Sequence, residues 1–162
     1  MSQVGYILLG WLLGILSTLI ARWIQTKEDK QKKEIEILSE TLKYLFRTKQ
    51  TYNHLITDKS VLDKTLKEFP GKSSDLERQM YERFDEAIKK DFFPELMFRS
   101  FQLKRLEDKS FLEDFAIIMN KFESLGKRIM EHSSTDMISE INTETMELMT
   151  AFVEKCNEKA KL

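Results

Sequence analysis

The first charged side chain in this sequence is Arg22; the run from Met1 to Ala21 carries none. Ten of the residues from Val4 to Ala21 are Val, Ile or Leu. At ~1.5 Å per helical residue such a run approaches the ~30 Å hydrocarbon core of a bilayer, which is long for the buried helix of a soluble domain. At roughly −0.3 to −0.6 kcal/mol each, these aliphatic side chains favour insertion by about 3 to 6 kcal/mol with no charge opposing them. A helix that is apolar on every face also has no polar side to turn toward water. Tyr6 near one end, and Arg22 with Trp23 at the other, suit the two interfacial belts, whereas Trp11 falls in the middle.

A cleaved signal peptide would show a basic leading region, a core of ~7–15 apolar residues and a small-x-small cleavage site. Here no Lys or Arg precedes the apolar run, and Arg22-Trp23-Ile24 stands where cleavage would fall. The expectation is a retained transmembrane helix within residues 1–24. Arg22, Lys27, Lys30, Lys32 and Lys33 crowd its C-terminal side, against Ser2 and Gln3 on the other. Positive flanks stay cytoplasmic, so the N-terminus is expected outside a cell inner membrane and the rest of the chain inside.

Removing 24 residues from 162 leaves 138, enough for one domain with a modest core. A net charge of −1 argues against a dedicated nucleic-acid binder, because neutralising phosphates needs a basic excess. The charge is uneven: bases outnumber acids eight to five from Arg22 to Lys49, and acids outnumber bases seven to three from Glu131 onward. The lone Cys156 excludes an internal disulfide and fits a reducing compartment. Gly71 and Gly126 are the only glycines beyond the apolar run, and that scarcity of turn residues points to helices.

The fold class expected is all-α, one transmembrane helix followed by a cytosolic bundle of about five helices. Residues 25–58 read as a juxtamembrane helix leading into the bundle and 59–162 as its remainder. The i,i+4 pairs Glu28/Lys32 and Asp29/Lys33 favour helix directly after the anchor. Ile35, Leu38, Leu42, Leu45, Tyr52 and Ile56 form an interrupted heptad seam, as in a coiled coil. Ile37, Phe46 and Leu55 widen it into the broad stripe of a bundle. Ser60 offers a weak cap for a short helix ending near Phe69, and Pro70-Gly71-Lys72-Ser73 breaks the chain. Ser74…Glu77 and Ser110…Glu113 read as capping boxes, and Pro94 suits a first helical turn. Buried faces are expected from Leu76, Met80, Phe84, Ala87 and Ile88, then from Leu96, Met97, Phe101 and Leu103. The strongest run is Phe111, Phe115, Ile118, Phe122, Leu125 and Ile129, in which Gly126 is a potential kink. A last helix carries Ile138, Ile141, Leu148, Phe152 and Cys156.

Three places carry functional readings. Gly10, Gly14, Ser17 and Ala21 fall within about 60° on a helix, a small-residue stripe through which two copies of the anchor could pack as a homodimer. Phe92, Phe93, Met97, Phe98 and Phe101 gather large apolar side chains around one turn; they are either core or a patch for a protein partner. Met137, Met146 and Met149 raise the same choice on the last helix. Finally, Arg47-Thr-Lys-Gln-Thr-Tyr-Asn-His54 places six residues between an arginine and a histidine, which resembles the R-x(4–6)-H signature of HEPN ribonucleases. That resemblance covers eight residues and implies an all-α nuclease whose active pair, Arg47 and His54, meets across a dimer. The polar residue the signature carries directly after its arginine is here Thr48, and the plainer reading is a solvated helix face.

No spacing of His, Cys or acids suggests a metal or cofactor site, and no glycine-rich phosphate loop or nucleophile elbow occurs. The expectation is a non-enzymatic, single-pass membrane protein whose partners are the bilayer and another membrane or cytosolic protein. Its alternatives are a membrane-tethered HEPN-like effector and a membrane-perturbing, holin-like toxin.

Overall fold

The computed structural model describes residues 3–69, 73–87, 93–131 and 135–161; at residues 3–13, 73, 74, 76, 84, 87, 93 and 135 it describes the backbone alone. The described residues are all-helical, with five helices and no strand. These are α1 (Gln3–Glu68), α2 (Ser73–Ala87), α3 (Phe93–Leu103), α4 (Ser110–Met130) and α5 (Thr135–Lys161). The chain divides into two compact units, Met1–Glu36 and Ile37–Leu162.

In the first unit every described side chain from Gly14 to Lys30 is exposed. Ile15, Leu16, Leu19, Ile20, Trp23 and Ile24 are each between 46% and 66% accessible, so no protein packs over them. The hydroxyls of Ser17 and Thr18 both donate to the Gly14 carbonyl at 2.9 Å, and Thr26 donates to Arg22 at 2.8 Å. Among the described residues no helix is long and apolar enough to cross a membrane. By that measure the expected transmembrane helix is not supported. Its first part, residues 4–13, lies outside the described side chains, as do Tyr6 and Gly10.

The second unit is a helical bundle. Its stretch of α1 buries Leu38, Thr41, Tyr44, Leu45, Thr48, Tyr52, Leu55, Lys59 and Leu62, at spacings of mostly three and four that keep one face inward. That face continues through Ser60, so the short separate helix expected there is the end of α1. No glycine or proline lies between Gly14 and Pro70 to stop it, and Lys59 chelates Asp63 at 2.8 and 3.1 Å across the suspected boundary. Phe46 departs from the expected stripe and is exposed.

Helix α4 buries Phe111, Phe115, Ile118, Phe122, Leu125 and Ile129 and runs unbroken past Gly126. It pairs with α5 in antiparallel fashion: Phe111 meets Phe152 edge-on at 5.9 Å, while Asp114 bonds Lys155 and Lys121 bonds Glu144. Against α1 it runs parallel, since Tyr44 packs on Phe115 at 6.1 Å and Tyr52 on Phe122 at 5.0 Å. Such tilted ring pairs add about 0.5–1.5 kcal/mol each beyond the area they bury. Helix α3 runs antiparallel to α1, and the Tyr81 hydroxyl of α2 donates to the Met130 carbonyl at the end of α4.

The start of α4 differs from the expected capping box. Ser110 is the first helical residue and does not cap; its amide and hydroxyl both donate to Asp108, the amide at 2.9 Å. These two bonds hold the Asp108 carboxyl below its ordinary range. A side-chain acceptor two residues upstream thus replaces the reciprocal serine–glutamate pair. The side chain of Ser74 lies outside the described residues.

Burial pushes the phenols of Tyr44 and Tyr52 and the thiol of Cys156 each up to about 12. Raised acid groups hold their protons longer folded than unfolded. Their contribution is complete below the unfolded values of about 8.5 for thiol and 10 for phenol, and is lost as pH rises from there through about 12. Denaturant midpoints are therefore expected to fall between pH 8 and 11, with a smaller fall in Cys156→Ala. Cys156 should also resist a thiol reagent at pH 8 until denaturant is added; rapid labelling of the native protein would show that the thiol is not enclosed.

Candidate functional site

Helix α3 is apolar on two sides. Leu103 is fully buried and Leu96 half-buried on the side that meets the bundle. Met97, Phe98 and Phe101, at 64%, 53% and 59% exposure, line the other. The expected buried face of this helix therefore holds for Leu103 and is overturned for Met97 and Phe101. Phe92 and the side chain of Phe93 lie outside the described residues. Met149 is core, Met146 half-buried and Met137 exposed.

Between α1 and α3 sits an ionic network centred on Arg99, whose side chain is only 11% exposed. Its guanidinium donates to Glu95 at 3.0 Å, to Gln102 at 3.2 Å and to Glu40 of α1 at 3.4 Å. Arg47 of α1 pairs with the other oxygen of Glu95. Glu40 is held below its ordinary range chiefly by Lys43, with Arg99 adding to the effect. The network ties α3 to α1. Arg99 lies over the Phe98 ring at 5.5 Å and Arg105 over Phe101 at 5.2 Å, so two exposed aromatics are each roofed by a cation. Arg99 and Arg105 were not among the residues the sequence singled out. The signal was there in the i,i+4 pair Glu95/Arg99 and in plotting residues 94–105 around a helix.

The other candidates sit apart from this face. Arg47 and His54 share one side of α1, two turns and about 10.5 Å apart along the axis, with Arg47 engaged by Glu95 and His54 exposed. In the anchor stripe, a Cβ placed on Gly14 would meet nothing within 4 Å, and Ser17 and Ala21 are exposed. A groove of about 270 Å³ lies between Leu55, Val61 and Leu62 of α1 and Met80 of α2, with Asp58 and Arg83 on its wall. Among the described residues no group of three or more His, Cys, Asp or Glu could hold a metal ion.

Comparison with protein-family models, with curated proteins and with solved structures finds no match for this chain.

Replacing Arg99 by Met is expected to cost about 1–3 kcal/mol, because Glu40 and Glu95 are left facing each other with one partner fewer. Arg99→Met with Glu95→Gln should recover part of that loss in a double-mutant cycle of urea midpoints. Strict additivity of the two changes would show that the network is not coupled.

Proposed function

We propose that this chain is a single-pass membrane protein, N-terminus outside, whose cytoplasmic helical bundle acts by contact with other proteins and not by catalysis. The observation that supports it most is the exposed row Ile15, Leu16, Leu19, Ile20, Trp23 and Ile24. Each large apolar side chain left in water forgoes about 1.5–3 kcal/mol, and these have no protein cover; acyl chains supply it. The preceding residues 4–13 add no charge, and the basic cluster follows at once from Arg22. Hydroxyls of Ser17 and Thr18 turned onto the Gly14 carbonyl also leave no unpaired donor, as hydrocarbon requires. Tethering confines the bundle near the bilayer and raises its effective concentration toward other membrane components, which favours a regulatory, assembly or sensing role.

After lysis the protein is expected in the membrane pellet, resistant to alkaline carbonate and released by detergent. A Ser2→Cys variant should react with an impermeant maleimide on intact cells, and a Lys161→Cys variant only after permeabilisation. Release by carbonate alone, or the reverse labelling pattern, would overturn this reading.

The anchor stripe is proposed to pair two copies, because the open space at Gly14 lets a second backbone approach closely. Gly14→Ile should then lower crosslinked dimer in membranes while leaving the urea midpoint of the bundle unchanged. Undiminished dimer in that variant removes the stripe from the account.

A further inference from the structure

We propose that the outer face of α3 docks on the acidic outer face of α5 in a second copy of this chain, joining bundles head to tail. This rests on the protein-contact reading above and names the partner; every residue it uses lies in the second unit. At 100° per residue, Met97, Phe98, Phe101 and Lys104 fall within a sector of about 120°. The three apolar side chains are each more than half exposed, and Arg105 lies over the Phe101 ring. Glu95, the one carboxylate of the helix, is turned aside into its pairs with Arg47 and Arg99. Among the described residues neither Lys104 nor Arg105 is in an ion pair. The face thus joins aromatic and thioether side chains to positive charge alone, and Phe, Met and Arg are types enriched where proteins meet.

Helix α5 carries the complement. Asp136, Glu140, Glu147, Glu154 and Glu158 fall within about 40° of one another, a row about 33 Å long. All five are exposed, and among the described residues none is in an ion pair. Lys155, the base beside the row, is drawn off to Asp114 and the Phe111 ring. Exposed Ala151 stands between Glu147 and Glu154. Ile117 of α4, 47% exposed, lies three residues from Asp114 and four from Lys121, both of which reach α5, so it borders the same seam. Ala151 and Ile117 give the α3 rings apolar surface among the carboxylates. Charge decides the pairing. Two α3 faces would set cation against cation, and two α5 rows carboxylate against carboxylate, whereas each meets opposite charge on the other. Both faces are open to solvent in one chain, so a single copy leaves both unmatched. Such a contact is heterologous and links copies into a ring or a row.

The test uses the full chain in detergent micelles, with Gly14→Ile in every copy so that pairing through the anchor does not contribute. A Met97→Cys copy and an Ala151→Cys copy are mixed and treated with a short bis-maleimide; the enclosed Cys156 does not compete. A 97–151 product is expected from the mixture, reduced at about 1 M salt, with no product from either variant alone. Adding Lys104→Glu and Arg105→Glu to the first copy should lower the yield at least about ten-fold. Adding Glu147→Lys and Glu154→Lys to the second copy as well should restore it, which also shows that the reversed copies are folded. A mixture without 97–151 product overturns docking between copies and leaves the carbonate and labelling results of the anchored reading untouched. A 97–97 or 151–151 product means that like faces meet, which overturns the proposal. So does a yield that ignores the first reversal or fails to recover with the second.

Discussion

Hydrocarbon that no protein covers is the constraint on which the arrangement of this chain depends. Between Ile15 and Ile24 six large apolar side chains lie exposed along α1, whereas further down the same helix Leu38, Tyr44, Leu45 and Tyr52 are sealed in a core. Helix α1 therefore carries an exposed apolar row in the first unit and a buried face in the second. One-sided apolar spacing governs the part of α1 that has a core to face.

Inside the bundle, polar groups are handled locally. Thr41, Thr48 and Thr145 are fully buried, yet each hydroxyl bonds the carbonyl four residues earlier on its own helix, at 2.8, 2.9 and 2.7 Å. Helix pairing then rests on shape, with Tyr44 and Tyr52 set between the phenylalanines of α4. Ion pairs lie at the seams, Lys155 with Asp114 and Lys121 with Glu144 between α4 and α5, and Arg99 with its carboxylates between α1 and α3. Partly exposed pairs of this kind contribute modestly to stability but discriminate strongly among rotations of one helix against another.

How much of this was legible in the sequence depended on how one-sided each helix is. The 3–4 spacing of Phe111 to Ile129 identified the buried face of α4 residue by residue, with Leu112, Met119 and Met130 packed along its edges and Ile117 left exposed. For α3 the same reasoning failed: Met97 and Phe101 match a core period as well as Leu96 and Leu103 do, yet it is Leu103 that is buried and Leu96 that packs on the core. Ser60 and Ser110 were read as helix starts from their residue types, but capping depends on backbone geometry that a hydroxyl alone does not impose. Candidate site residues were legible as composition, in the small stripe and the aromatic cluster, while Lys104 and Arg105 gained meaning only once their neighbours were placed.

The parallel pairing of α1 with α4 has a consequence for biosynthesis. Tyr44 waits for Phe115, and Tyr52 for Phe122, each some seventy residues later in the chain. At about 5–20 residues per second, a ribosome needs roughly 4–14 s to deliver the missing half of that seam. During this interval the inward face of α1 has none of its α4 ring partners to pack against.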